Sequence, residues 1–265
     1  MQETSVQEVL CFGLAAGGGN PALVVQHDRS SAGQRQQFAN ERGKPACVFV
    51  DRADDGVIVL DYFYPHTRSP LCLHATLAAA RLLLSPQQPE LQVRTALRNQ
   101  PLTLILQDGE VYIQLSPQAV PGVAIAPALP GRLLAAPAIA LASPPVIASV
   151  GSPKLLLEVA DSATLQALTP DLAAISDWGK QYGVSGCYVW CRRPDGALEG
   201  RNFNHLDPAA EDGATGVAAG ALTLHLRTGI TLYQGARVGT PCKLRTELIA
   251  ENILIGGRTE LRSTT

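Results

Sequence analysis

Two stretches of this chain form helices that cannot have a wet side, and they constrain the fold more than any other feature. Residues 71–84 read Leu71-Cys72-Leu73-His74-Ala75-Thr76-Leu77-Ala78-Ala79-Ala80-Arg81-Leu82-Leu83-Leu84, and residues 214–226 read Ala214-Thr215-Gly216-Val217-Ala218-Ala219-Gly220-Ala221-Leu222-Thr223-Leu224-His225-Leu226. A helix that is apolar on every face has to be surrounded. One made largely of Ala, Gly and Thr lets a curled sheet approach at close range. Each stretch follows a strand and a polar loop carrying acid-base residues, so the chain holds the same unit twice. The pattern predicts an α+β protein of two pseudo-symmetric lobes, each a curled, mostly antiparallel sheet wrapped around a buried central helix.

Alternation and turn residues place the other elements. Strands are expected at 6–14, 22–25, 46–50, 57–64, 91–95, 102–107 and 111–115, with a polar helix over 31–42 that starts at a Ser31 cap. In the second half, strands are expected at 154–159, 186–192, 198–203, 244–250 and 252–255, with helices at 162–167 and near Trp178 and an apolar helix over 211–226. The Ala- and Pro-rich run 119–145 marks a boundary. The lobes are therefore 1–118 and 119–265, the last strand being a candidate to pack back on the N-terminal lobe.

Composition narrows the function. With a net charge of −2 and basic residues scattered rather than clustered, the chain offers no field for a polyanion, so nucleic acid is not an expected partner. No segment approaches the roughly 20 apolar residues that span a bilayer, and Met1-Gln2-Glu3-Thr4 lacks the basic and apolar regions of a secretion signal. No membrane partner and a cytoplasmic location are the expectation. The six cysteines are dispersed, and the close pair Cys187 and Cys191 has no second pair of zinc-site spacing, so no metal is expected and the thiols read as buried and free.

The chemistry concentrates at the starts of the two apolar helices, where unpaired N–H groups and the positive dipole end favour an anion. Cys72 and His74 stand at the first, Asp212 and Thr215 at the second. With both starts opening on a groove between the lobes, they could hold a substrate carboxylate while the flanking side chains exchange protons. Alone, His74 would read as a core histidine and Asp212 as a helix cap; their pairing points to function. Gly17-Gly18-Gly19 is not a dinucleotide fingerprint, because the strand, helix and downstream acid of that motif are not in place. His66 and Arg68, and His205 and Asp207 in the matching loop, are weaker candidates, while Trp178, Tyr182 and Trp190 read as core or interface residues.

Four motifs occur in order: Gly19-Asn20-Pro21; Pro70-Leu71-Cys72-Leu73-His74-Ala75-Thr76; Glu211-Asp212-Gly213-Ala214-Thr215-Gly216-Val217; and Gln234-Gly235 followed by Gly239-Thr240-Pro241. In them the chain resembles the phenazine-biosynthesis isomerase (PhzF-like) family, within the diaminopimelate-epimerase-like fold, from about Cys11 to the C-terminus. The resemblance implies an active site in the cleft between two lobes, a homodimer, no cofactor, and a small carboxylate-bearing metabolite as substrate. By motif position His74 and Asp212 fall on the family's catalytic histidine and aspartate, and Thr215, Gly216 and Val217 on its anion-holding turn. Asn20, Leu73, Ala46 and Cys47 fall on substrate-binding positions.

Departures accompany the matches. Where phenazine-type members carry a proton-shuttling glutamate this chain has Ala46, between Pro45 and Cys47; Val217 replaces a helix-start serine, Leu73 a glycine, and Arg68 an acid. Glu41 lies upstream on a polar helix and is expected to face solvent. Cys72, beside a helix N-terminus and a histidine, is a candidate thiolate base, although Thr215 at the matching place in the second lobe argues against a symmetric two-cysteine racemase. Three readings follow. The first is a cofactor-independent isomerase moving a proton or double bond on an amino-acid-like acid, in secondary metabolism, through Asp212 and His74. The second is an epimerase or racemase using Cys72. The third is a binding protein that has lost its chemistry along with the glutamate.

Overall fold

The run Leu71-Cys72-Leu73-His74 leads into a helix whose next six residues, Ala75 to Ala80, are all buried, and the strands that bury them explain the first half of the chain. The computed structural model describes residues 3–204 and 211–262. It divides into two compact units, one running to Leu115 and taking in the chain from Leu254 onward, the other spanning Ser116–Ile253.

In the first unit, β1 (Ser5–Cys11) pairs antiparallel with β2 (Asn20–Gln26). The glycines between them let the chain turn: Gly19, at φ 123°, passes so close to the backbone of Cys11 and Gly13 that a side chain would collide. Helix α1 (Ala32–Arg42) then crosses to β3 (Cys47–Arg52), which lies parallel to β2. Its start is a capping box: Ser31 Oγ accepts from the Gln34 N–H, and the Gln34 side chain accepts from the Ser31 N–H at 2.8 Å. Strand β4 (Ile58–Tyr64) runs antiparallel to β3, and the short β5 (Thr67–Ser69) folds back on the end of β4. Helix α2 (Leu73–Leu83) follows; then β6 (Glu90–Thr95), parallel to β4, and the antiparallel β7 (Pro101–Gln107) and β8 (Glu110–Leu115). Helix α2 packs on β1, β2, β3, β7 and β8.

The second unit opens with a short helix, α3 (Leu129–Leu133), and then repeats this order. Strand β9 (Val146–Ala148) is antiparallel to β10 (Lys154–Glu158), and two helices, α4 (Ser162–Ala167) and α5 (Leu172–Tyr182), lead to β11 (Cys187–Arg192), parallel to β10. Strand β12 (Leu198–Phe203) is antiparallel to β11, the two-residue β13 (Glu211–Asp212) folds back on the end of β12, and α6 (Gly216–Leu226) follows. Next come β14 (Thr231–Gln234), parallel to β12, β15 (Cys242–Ile249), antiparallel to β14, and β16 (Asn252–Gly257), from which the chain returns to the first unit, β17 (Thr259–Leu261) pairing with β1. Pairing by pairing, β10 to β15 reproduce β2 to β7, so the fold is the α+β, doubled, helix-in-sheet architecture read from the sequence.

Alternation divides each sheet into an inner and an outer face. Leu155, Leu157, Val159, Cys187, Val189, Cys191 and Phe203 point to a core shared with Ile175 and Trp178 of α5. Their strand neighbours Lys154, Leu156, Tyr188, Trp190 and Asn202 therefore face α6. In the first unit Leu23, Val25, Cys47, Phe49 and Phe63 pack outward with Ala39 of α1. Two expectations fail locally. Residues 211–215 are a strand and a turn rather than the start of a helix, because Glu211 and Asp212 pair with Phe203 and Asn202 before the helix begins. Strand β14 escaped notice because its four residues, Thr231 to Gln234, hold too little alternation to register. Among the described residues no helix is long and apolar enough to cross a membrane.

Candidate active site

The register makes residues of the two units equivalent, so the candidate residues of each unit can be read against those of the other. Leu23 opposes Cys47 as Leu155 opposes Cys187, and Tyr62 opposes Ser69 as Asn202 opposes Asp212. Cys72 stands at the N-cap position of α2 where Thr215 stands at that of α6. Asp212 thus takes the place of Ser69, and Thr215 that of Cys72.

What aims Asp212 is an ion pair on the opposite face of its strand. Arg201 of β12 donates two hydrogen bonds to the Glu211 carboxylate, at 2.9 and 2.8 Å, and two more, both at 2.9 Å, to the carbonyls of Leu165 and Leu168. A bidentate, charge-assisted pair is directional. It pins Glu211 outward, and alternation then turns Asp212 inward. The first unit has the same device with the charges exchanged: Arg68 of β5 donates to Asp61 of β4 at 2.7 and 2.9 Å. That accounts for the arginine standing where an acid was expected. Asp61 also accepts from Arg35 at 3.3 Å, and Arg35 is held further by Asp28 and Asp51. His66, the other loop candidate, stacks on Tyr64.

Around Asp212 lies a continuous polar network. The Thr215 hydroxyl donates to Asp212 Oδ2 at 2.6 Å instead of capping its own helix, and the Ala214 N–H donates to Oδ1 at 3.4 Å. Gln234 ties these groups to the sheet: its Nε2 donates to the Asp212 carbonyl at 2.7 Å and to Thr215 Oγ1 at 2.9 Å. Its Oε1 accepts from the Thr215 N–H at 3.2 Å and from the Tyr188 hydroxyl at 2.9 Å. Burial pushes the Tyr188 phenol well up, so it remains a neutral donor. The Tyr188 ring lies over Gly200, where any side chain would collide with it. Gly216 and Val217, the first residues of α6, are buried, and no acidic side chain occupies that first turn.

A lysine completes this group. Lys154 is 1% exposed and donates to the Ser185 carbonyl at 2.5 Å. Burial drives its ammonium down to about 8, against the attraction of Asp212. Its counterpart in the first unit is Ala22. A lone lysine opening a strand reads as a surface residue, and only comparison of the two halves could have exposed it.

The candidate residues of the first unit form a simpler set. Cys72, at the N-cap position of α2, makes no side-chain bond to the helix start, and its Sγ lies 3.3 Å from His74 Nδ1. The His74 carbonyl accepts from the Cys11 thiol at 3.1 Å, and Thr76 bonds back to the Cys72 carbonyl. Leu73 is the first residue of α2 and is buried. Asn20 opens β2, also buried. Ala46 is fully buried, its carbonyl accepting from the Leu23 N–H at 3.0 Å. The Cys47 side chain lies in the apolar cluster under α1, and burial pushes its thiol up to about 12, the setting of a packing residue. Glu41 is exposed and bonded to Gln37. Cys187 and Cys191 are free and buried. His205 and Asp207 lie outside the described residues.

The chain as a whole is similar to known proteins. The sequence profile described as phenazine biosynthesis-like protein (PhzC-PhzF) matches residues 9–259. A Deinococcus radiodurans protein named as an uncharacterized isomerase is 30% identical over 269 residues, covering 92% of this chain and 87% of that one. The trans-2,3-dihydro-3-hydroxyanthranilate isomerase of Pseudomonas aeruginosa is 28% identical over 238 residues, covering 85% of this chain and 84% of that one. In the solved structure of the Bacillus anthracis phenazine biosynthesis protein of the PhzF family, the same fold recurs at a TM-score of 0.79 and 19% identity, over 99% of this chain and 98% of that one. With the profile matched over nearly its whole length, the chain belongs to the phenazine biosynthesis-like family.

Proposed function

We propose that this isomerase moves a proton, and with it a double bond, on a small amino-acid-like carboxylic acid, without a cofactor and in secondary metabolism. Asp212 and His74 are the proton-transfer groups in this reading. The observation that carries it is the setting of Asp212: a carboxylate fixed by the Thr215 hydroxyl at 2.6 Å, at the start of an apolar helix with no acid in its first turn, with a buried cation, Lys154, in its field. A carboxylate held in that way has one geometry in which to take a proton and return it. The helix-start N–H groups of Gly216 and Val217 suit a substrate carboxylate. The relative acting on trans-2,3-dihydro-3-hydroxyanthranilate supports a cyclic, unsaturated amino acid as the substrate class. A cytosolic homodimer with no nucleic-acid or membrane partner completes the reading.

The contact between Cys72 Sγ and His74 Nδ1 at 3.3 Å favours a second reading, an epimerase in which the thiol is the base. Incubation in heavy water with a panel of small cyclic and unsaturated amino acids tests both. Deuterium appearing at carbon, with a displaced double bond, is expected; deuterium with inverted configuration and no displacement selects the epimerase. A panel without carbon-bound deuterium, using enzyme that is folded by circular dichroism, defeats both readings.

A further inference from the structure

At one register position the two units have diverged in a way that points to a ligand. In the first unit Tyr62 crosses from β4 to the central helix, its hydroxyl 2.7 Å from Thr76 Oγ1, so strand and helix satisfy each other. In the second unit the same two places hold Asn202 and Ala219: a shorter side chain on the strand and a methyl group on the helix. Asn202 is fully buried, and neither its Nδ2 nor its Oδ1 has a hydrogen-bond partner among the described residues. Leaving a buried amide group unmet is costly, and native interiors rarely carry both atoms of one side chain that way.

The neighbours of Asn202 say what the amide is for. It faces α6, opposite Asp212 on one side and Tyr188 on the other. Elsewhere on this inner face Ala22, Val48, Ser69 and Thr95 of the first unit are answered by Lys154, Tyr188, Asp212 and Gln234. Tyr188, Asp212 and Gln234 are bonded into the network around Thr215, and Lys154 donates to Ser185. Only Asn202 is left with a donor and an acceptor to offer.

We propose that Asn202 is a substrate-specificity residue, its amide hydrogen-bonding the amino or hydroxyl substituent beside the carboxylate of the acid whose proton Asp212 moves. This rests on the proton-transfer reading above and deepens it. The amide oxygen accepts from the N–H or O–H of the substituent, and the amide N–H₂ donates to an oxygen lone pair, so a bare carboxylic acid leaves both unmet.

Calorimetric titration of the full chain with benzoate, anthranilate and 3-hydroxyanthranilate tests the assignment, because the three acids add one polar substituent at a time. Wild type is expected to bind a substituted acid about 10-fold or more tighter than benzoate, the worth of one hydrogen bond to a buried group. Asn202→Leu should lose that preference and bind all three alike. A variant that keeps the wild-type preference, or a wild type that binds the acids without preference, overturns the proposal. Wild type binding none of them overturns the ligand class, while the heavy-water experiment still decides the proton transfer by itself. Should Asn202→Leu fail to fold, a crystal structure of wild type with 3-hydroxyanthranilate decides: the amide is expected on a ring substituent, and an ordered water there instead, with the substituents elsewhere, refutes the assignment.

Discussion

Lys154 should make this protein less stable at neutral pH than it would be with an uncharged side chain in its place, and the deficit can be worked from its surroundings. Burial takes its ammonium from the ordinary lysine value of 10.5 down to about 8, with Asp212 and Cys187 pulling the other way. At about 1.4 kcal/mol per pH unit, keeping the proton at pH 7 costs the folded state on the order of 3 kcal/mol. The sign follows from proton counting. Between pH 8 and pH 10.5 the unfolded chain binds the proton and the folded chain does not, so stability rises with pH across that window and the whole penalty is present below it. Lys154→Met removes the titration. Urea unfolding of both proteins at pH 7 and pH 10 should therefore show wild type gaining about 2.5 kcal/mol relative to the variant as pH rises. Other titrating groups are common to both and cancel, and the lost bond to the Ser185 carbonyl shifts the variant equally at each pH. Parallel pH profiles would refute the reasoning and would mean that the lysine reaches water.

Other expectations can be checked with the same material. Asp212→Asn and His74→Ala should each lower solvent-proton exchange into a substrate by about 10²-fold or more, whereas Cys72→Ala should cost little under the isomerase reading and abolish exchange under the epimerase reading. Glu211→Gln leaves the Arg201 charge buried with only carbonyl partners and should cost about 3 kcal/mol in urea unfolding; recovery of part of that loss in Arg201→Glu/Glu211→Arg would match the exchanged polarity of Asp61 and Arg68. Ala46→Glu places a carboxyl where the side chain is fully buried, so the melting temperature should fall and the new group should titrate well above the usual carboxylate range. An unchanged melting temperature would mean that open space adjoins Ala46.

The legible part of this fold is the part written in runs. Residues 75–80 and 217–222 betray buried helices because nothing polar interrupts either run except Thr76, and Ser31 with Gln34 writes a helix start in a local pattern. Asp212, His74, Thr215 and Cys72 could be singled out because they stand beside those helices. What remained hidden is set by pairing between distant strands. Nothing near Lys154 or Asn202 in sequence distinguishes them from ordinary strand residues; Lys154 faces inward because Leu155 opposes Cys187, and Asn202 meets Asp212 because β13 folds back on β12. The face Cys47 takes is hidden for the same reason: next to Ala46 in sequence, it packs in the cluster with Ala39 of α1. A signal was present in the repeat itself, since laying the second half on the first sets Lys154 against Ala22 and Asp212 against Ser69.

The exchanged ion pairs suggest how one half of a doubled fold can carry an acid that the other lacks. Arg201–Glu211 and Asp61–Arg68 do the same structural work with opposite charges: each ties the short returning strand to the outer face of its sheet. Because that anchor faces outward, the inward residue next to it is free to vary without loosening the strand, and it is Asp212 in one unit and Ser69 in the other. Ser69 turns to the Leu71 carbonyl and is spent on its own loop. Asp212 instead holds Thr215, and the inner face around it has acquired Lys154, Tyr188 and Gln234, which hold or balance a carboxylate. The cation offsets part of the cost of burying the acid, at the expense of its own desolvation. A site assembled in this way need not be stable for its own sake. The apolar helices Leu73–Leu83 and Gly216–Leu226 can supply that stability through burial, and the buried charges stand where the proposed reaction would move a proton.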